Sequence, residues 1–169
     1  MIKNKLIATA ILMTGFATAS YSQATATATA TATIVTPITI SKTADMSFGN
    51  IAVQSATGGT VVLAPAGTRT STSGVTLPAT TGTVTAAAFT VNGTGTYTYA
   101  ITLPSTATLT RASGTETMTA SSFTSNPSGT GTLSSGTQNI AVGATLTVAA
   151  AQVAGVYTSG NFSVTVNYN

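Results

Sequence analysis

Apolar and small polar residues alternate along most of this chain, and no stretch spaces its apolar residues three and four apart. A period of two sends successive side chains to opposite faces of a strand, whereas a helix needs a period near 3.6. Thr and Gly, which fill much of the pattern, are also weak helix formers. The chain is therefore expected to form strands and no helices. "VTAAAFTV" (84–91) and "TYTYAITL" (96–103) flank "NGTG", and Asn-Gly favours the positive φ angles of a tight hairpin. The second run puts Tyr97, Tyr99, Ile101 and Leu103 on one face, and Pro104 ends it by withholding a ladder donor. "IAVGATLTV" (140–148) and "NFSVTVNY" (161–168) alternate in the same way, while "TVVLAPAG" (60–67) and "GVTLPA" (74–79) read as shorter strands stopped by proline. Residues 104–139 are rich in Thr, Ser and Gly, with weaker strand signals in "MTASSF" and "GTGTLSSG"; "AAAQVAG" (149–155) suits a bend or a single turn. No fixed repeat of solenoid length is visible. Short strands punctuated by Gly, Pro and Asn predict an all-β fold, read here as a single immunoglobulin-like or pilin-like β-sandwich.

The first 22 residues read as a cleaved signal peptide: Lys3 and Lys5 at the start, an apolar middle from Leu6 to Phe16, and the small-residue site Ala17-Thr18-Ala19. Cleavage after Ala19, Ser22 or Ala24 fits equally. The apolar run falls short of the roughly 20 residues a bilayer span needs, so no transmembrane segment is expected. Export through the inner membrane follows, to the periplasm, the cell surface or the medium. The rest divides into an Ala/Thr repeat over 23–33 and a β-sandwich domain over 34–169. The roughly 147 residues after the signal can bury about two-thirds of their unfolded surface and fold alone. The chain has no cysteine, so neither a lipid anchor nor a disulfide is expected, although an exported protein could use both.

Beyond the signal, Lys42, Arg69 and Arg111 stand against Asp45 and Glu116, three positive charges to two negative. No basic patch exists for nucleic acid. Catalysis needs groups that exchange protons near working pH, and the chain has no His and no Cys. Asp45 and Glu116 could act as a glycosidase pair only across a shared cleft, and nothing in their spacing argues for one. Asp45 reads as a turn cap, Glu116 as solvated, and Arg69 and Arg111 as loop solubilisers. Clustered carboxylates for a metal ion are absent from the sequence as well. No enzyme, cofactor or metal is expected. Tyr97, Tyr99, Tyr157 and Tyr168 could stack on sugars, but their alternation with apolar residues favours core packing.

"ATATATATAT" (24–33) keeps its register into Ile34, Ile38 and Ile40, with Thr36 the polar exception on that face. Seventeen extended residues would reach about 58 Å at about 3.4 Å each, against the usual ~17–20 Å of a strand. The segment is open to three readings: a linker, a first strand within its own sheet, or a donor strand added to the sheet edge of another copy. A donor gains affinity from main-chain hydrogen bonds and specificity from pockets for alternate side chains. Ile34, Ile38 and Ile40 are the only residues there large enough to anchor.

"MSFGNIAV" (46–53) changes register midway, from Met46 and Phe48 to Ile51 and Val53, and Gly49-Asn50 is a candidate β-bulge. "GVYTSGNFSVTVNYN" closes the chain with an alternating strand and a penultimate tyrosine. The "FG" after the first strand and this ending resemble the exported bacterial family numbered 4402 among domains of unknown function. That resemblance implies an all-β exported protein and no established activity. The termini are also similar to those of chaperone–usher fibre subunits, where a neighbour's strand completes each domain. On that likeness Phe162, Val164, Val166 and Tyr168 form a C-terminal assembly strand, and a periplasmic chaperone is a possible partner beside other copies of the chain. Gly155 lies one position from the glycine of such subunits, and their common cysteine pair is absent. The expected function is non-enzymatic, structural or adhesive, through self-association by strand addition. The alternative is a monomeric module that binds glycan or, less favoured, ice through T-x-T rows such as those of the N-terminal repeat.

Overall fold

A computed structural model describes residues 22–169. The expected signal segment, apart from its last residue, lies outside the described residues. Residues 22–33 carry no strand or helix and are exposed; the compact unit runs from Ile34 to Asn169. Fifteen strands and no helix form among the described residues, so no helix there is long and apolar enough to cross a membrane. The strands are β1 (Thr39–Ala44), β2 (Ser47–Phe48), β3 (Ala52–Val53), β4 (Gly59–Leu63), β5 (Arg69–Ser71), β6 (Val75–Thr76), β7 (Val84–Thr85) and β8 (Ala87–Asn92). They continue as β9 (Thr98–Thr102), β10 (Thr106–Arg111), β11 (Thr117–Asn126), β12 (Thr130–Thr132), β13 (Thr137–Val148), β14 (Tyr157–Ser159) and β15 (Thr165–Tyr168).

The main sheet is antiparallel and eight-stranded, in the order β1-β8-β13-β11-β10-β14, with β4 paired to β13 and β5 to β4. Strand β13, 12 residues long, is its axis. Along one edge of β13, Thr137–Val142 pair with β8 and Ala144–Val148 with β4; the other edge takes β11. Gly143 sits where the partner changes, and a Cβ there would run into the Leu63 carbonyl oxygen. A three-stranded sheet, β12-β9-β15, faces the main sheet, and two short ladders, β2-β7 and β3-β6, complete the set.

Two core clusters follow from these faces. Ala87, Phe89 and Val91 of β8 with Ile140 and Val142 of β13 meet Tyr99, Ile101 and Val166 of the smaller sheet and Leu133, which follows β12. Val61 and Leu63 of β4 with Ala144, Leu146 and Val148 of β13 pack with Phe48, Val75 and Ala120. Phe123 touches both clusters, and it does so because of a bulge. Between Ser121 and Thr124 the β11 register shifts against β13, with Ser122 at φ 50°. Inward positions therefore change from Met118 and Ala120 to Phe123 and Ser125. Tyr99 is fully buried, and its hydroxyl donates to Gln138 Oε1 at 2.6 Å, which also accepts the Thr132 N–H at 2.9 Å. Burial pushes the Tyr99 hydroxyl pKa up.

The alternation expected for 84–91, 96–103 and 140–148 appears with the expected faces inward except at Tyr97, which precedes β9 and is 48% exposed and not in the core, and the first two runs do not form a hairpin. Strand β8 pairs with β1 and β13, and β9 with β12 and β15. The turn takes different partners. Gly93 N–H donates to Gly136 O and Gly136 N–H to Gly95 O, both at 2.8 Å. The apolar faces of β8 and β9 thus meet across the core. Residues 104–139 hold two long strands, β10 and β11, where only weak signals stand in the sequence.

Leu146→Ala should cost about 2–5 kcal/mol, the range for an emptied core site. Gly143→Ala should cost about 1–3 kcal/mol, because the added methyl has backbone and not a flexible side chain against it. Urea unfolding of each variant measures both.

Candidate functional site

The chain's charges come first, since they decide whether any reaction chemistry is assembled. Lys42 Nζ lies 2.6 Å from Asp45 Oδ1 at the surface. Arg111 grips Glu116 with two bonds, Nε to Oε2 at 2.7 Å and Nη2 to Oε1 at 3.1 Å, across the β10–β11 turn. Glu116 is therefore not simply solvated, and Arg111 is not a free solubiliser. The Arg111 hydrogen bonds, helped by backbone bonds, lower the Glu116 carboxyl to about 2. Arg69 also has a structural task. Its Nη1 donates to the carbonyls of Phe48 and of Asn50 (2.8 Å), and its Nη2 to Thr81 O at 3.3 Å. It thereby fixes the candidate bulge, where Gly49 takes φ 68° and Asn50 Nδ2 donates to Thr80 O at 3.0 Å. The chain changes partner there, from β7 for Ser47–Phe48 to β6 for Ala52–Val53. Among the described residues no three His, Cys, Asp or Glu side chains gather as a metal site.

What the fold does assemble is a pair of chain ends beside an open strand edge. Ile34 is 97% exposed. Ile38 and Ile40, by contrast, pack half-buried against the first core cluster, and Ile40 pairs with Val91 in the β1–β8 ladder. The three isoleucines do not act together: two serve this molecule's own core and one is free. Phe162, Val164 and Tyr168 are half-buried on the same cluster and Val166 lies within it, so the four point inward as their alternation requires. Phe162 also rests against Phe123, ring centres 5.3 Å apart.

Tyr168 holds the two ends together. Its hydroxyl donates to Thr36 O at 3.0 Å and accepts the Thr94 N–H at 2.8 Å. Thr36 N–H donates to Thr94 Oγ1 at 2.9 Å, and the Tyr97 ring meets Tyr168 edge-on at 5.7 Å. Gly93 is required by proximity, because a Cβ would collide with the Tyr168 hydroxyl. No local motif announces this clasp, since Thr36 and Tyr168 are 132 residues apart.

The strand edges are unequally protected. Natural edge strands are guarded by charge, bulges or shortness. In β1, Lys42 stands opposite Phe89, and a register shift follows before Ala44; charge and bulge occur together. β5, β12 and β14 have three residues each. β15 pairs with β9 on one side, and its residues, Thr165-Val166-Asn167-Tyr168, include no charge and no proline. Among the described residues no strand pairs with its second edge. Ile38, Ile40, Phe162 and Val164 are half-buried side chains packed against the first cluster.

The family model described as Domain of unknown function (DUF4402) matches residues 38–168. No curated protein and no solved structure matches the chain. The matched span starts after Ile34 and takes in the whole of β1 to β15.

Tyr168→Phe should cost about 0.5–1.5 kcal/mol, the net worth of an ordinary hydrogen bond whose lost partner water can replace, and should speed amide exchange at Thr36 and Thr94. A second expectation concerns acid. The Glu116 carboxyl is lower folded than unfolded, so its contribution to stability is complete above about 4.3, the unfolded value, and fades as pH falls to about 2. Thermal melts of wild type and Glu116→Gln should differ at neutral pH and converge toward pH 2.

Proposed function

On the premise that the chain belongs to the DUF4402 family, whose description assigns no activity, we propose that it is an exported, non-enzymatic surface protein that self-associates by strand addition. The observation that carries this reading is the combination of an uncharged open edge at β15 with an exposed Ala/Thr segment that lies outside any strand and leads into a 97% exposed isoleucine. An added strand gains main-chain hydrogen bonds along the edge and inserts alternate side chains beside the sheet. Residues 24–33 supply the alternation and Ile34 the anchor. Alanine alone removes little apolar area at about 25 cal/mol per Å², so Ile34 dominates the affinity. Ile38 and Ile40 are excluded from the donor because they are already packed on their own domain. The low charge suits assembly, since nothing on β15 repels an incoming backbone. The signal peptide expected over the first 22 residues and the absence of cysteine are consistent with assembly outside the cytoplasm without covalent links.

The native mass of residues 23–169 by light scattering, as a function of concentration, tests this. Higher-order species are expected, and they should disappear on deletion of residues 24–33, with Ile34→Asp, and with Thr165→Lys, which guards the β15 edge. A concentration-independent monomer of the unaltered protein would refute strand addition. Assembly that survives all three changes would place the contact elsewhere.

A further inference from the structure

The outer face of the main sheet is dense in threonine. Inward positions of β13 are even-numbered and apolar, so its odd positions face out. Registers carry that assignment to the neighbours. Thr108 of β10 stands opposite Thr119 of β11, which stands opposite Thr147 of β13, which stands opposite Thr60 of β4. One step along, Thr106, Ser121 and Thr145 make a second row, which ends on β4 at the exposed Val62 and not at a hydroxyl. One step the other way, Thr110 faces Thr117. The ladders in this part of the sheet run without a shift, since the β11 bulge comes after Ser121. Hydroxyls therefore repeat in two directions: about 4.8 Å between strands and about 6.7 Å along each T-x-T step.

We propose that this hydroxyl array binds the surface of ice. Three features support a water lattice over other ligands. First, the outward positions of β4, β10, β11 and β13 hold no charged side chain. Lys42, Asp45, Arg69, Arg111 and Glu116 are all engaged elsewhere, so nothing on the face orients water around an ion. Second, no aromatic ring lies on it: Tyr99 is in the core, Tyr97 and Tyr168 are at the clasp, and Tyr157 is tied to Gln152 and Val153 O. A saccharide site would use such rings for stacking. Third, each threonine offers a hydroxyl that both donates and accepts beside a methyl group, and the two repeats lie near the oxygen spacings on the faces of hexagonal ice. Adjacent strands rotate by roughly 20–25°, which confines the match to the central strands β10, β11 and β13. The expected activity is thus adsorption to ice and inhibition of recrystallisation, with only a small depression of the freezing point. The array that carries it is not the N-terminal repeat, whose T-x-T spacing belongs to residues outside any strand.

Cross-strand threonine pairs also stabilise a sheet by themselves, and the experiment separates the two roles. Fluorescently labelled protein, residues 23–169, is offered to a growing ice hemisphere, and grain growth is followed in frozen sucrose solution. The protein should enter the ice and hold grain size. Thr119→Tyr keeps a good strand former but raises a ring above the array, and should abolish both effects with an unchanged thermal melt. Thr108→Lys should do the same by adding charge, which keeps the test decisive if the tyrosine variant fails to fold. Thr98→Tyr, on the exposed face of β9 in the smaller sheet, should keep full activity. Exclusion of the unaltered protein from ice overturns the proposal, as does retention of activity by folded Thr119→Tyr or Thr108→Lys.

Discussion

Strand β13 is the constraint from which the rest of the fold follows. Three strands bond directly to it, and both core clusters draw on its even-numbered side chains. Its length alone does not achieve this. One edge must serve β8 and then β4, and the chain can bring two strands end to end only where neither meets a side chain. Gly143 supplies that gap. Ile140 and Val142 then belong to one cluster and Ala144, Leu146 and Val148 to the other, so a single alternating run stitches two cores. Phe123, turned inward by the bulge at Ser122, closes the seam between them.

With no disulfide and few charges, cohesion depends on backbone ladders, apolar packing and a handful of polar staples. Two of the staples sit at turns and one bridges the two sheets. Arg69 gathers carbonyls at the Gly49 turn, Arg111 and Glu116 close the β10–β11 turn, and Gln138 satisfies the buried Tyr99 hydroxyl together with a β12 amide. The described residues leave no buried side-chain polar atom without a partner, which is what a core that cannot tolerate orphaned dipoles requires. Charge scarcity therefore has a structural logic: the few ionised groups mend turns, and the sheet faces are left neutral.

Much of this was legible in the residues, and the failures have physical causes. Strict alternation from 140 to 148 and from 98 to 102 gave the right inward faces, because period two survives wherever a ladder is regular. Strand β11 was faint because its bulge inverts parity, so Met118 and Ala120 fall on even positions but Phe123 and Ser125 on odd ones. Strand β10, "TATLTR", carries only Ala107 and Leu109 on its inner side, too little contrast among threonines. The Asn92-Gly93 turn misled because a hairpin signal describes local geometry and not the partner that competes for the amides. Gly136, more than 40 residues on, takes them. The Arg111–Glu116 pair did have a signal, opposite charges five residues apart across "ASGT". The Tyr168 clasp had none, since its three parts are scattered along the whole chain.

That clasp also determines how the domain would carry tension. Thr36, ahead of β1, and Tyr168, in β15, share a hydrogen bond, so these two points of the domain are neighbours. A stretching force between them has a short path through Thr36, Thr94 and Tyr168 and does not have to cross β13 or either core. Loss of these contacts would free the margin without removing any ladder bond of β13.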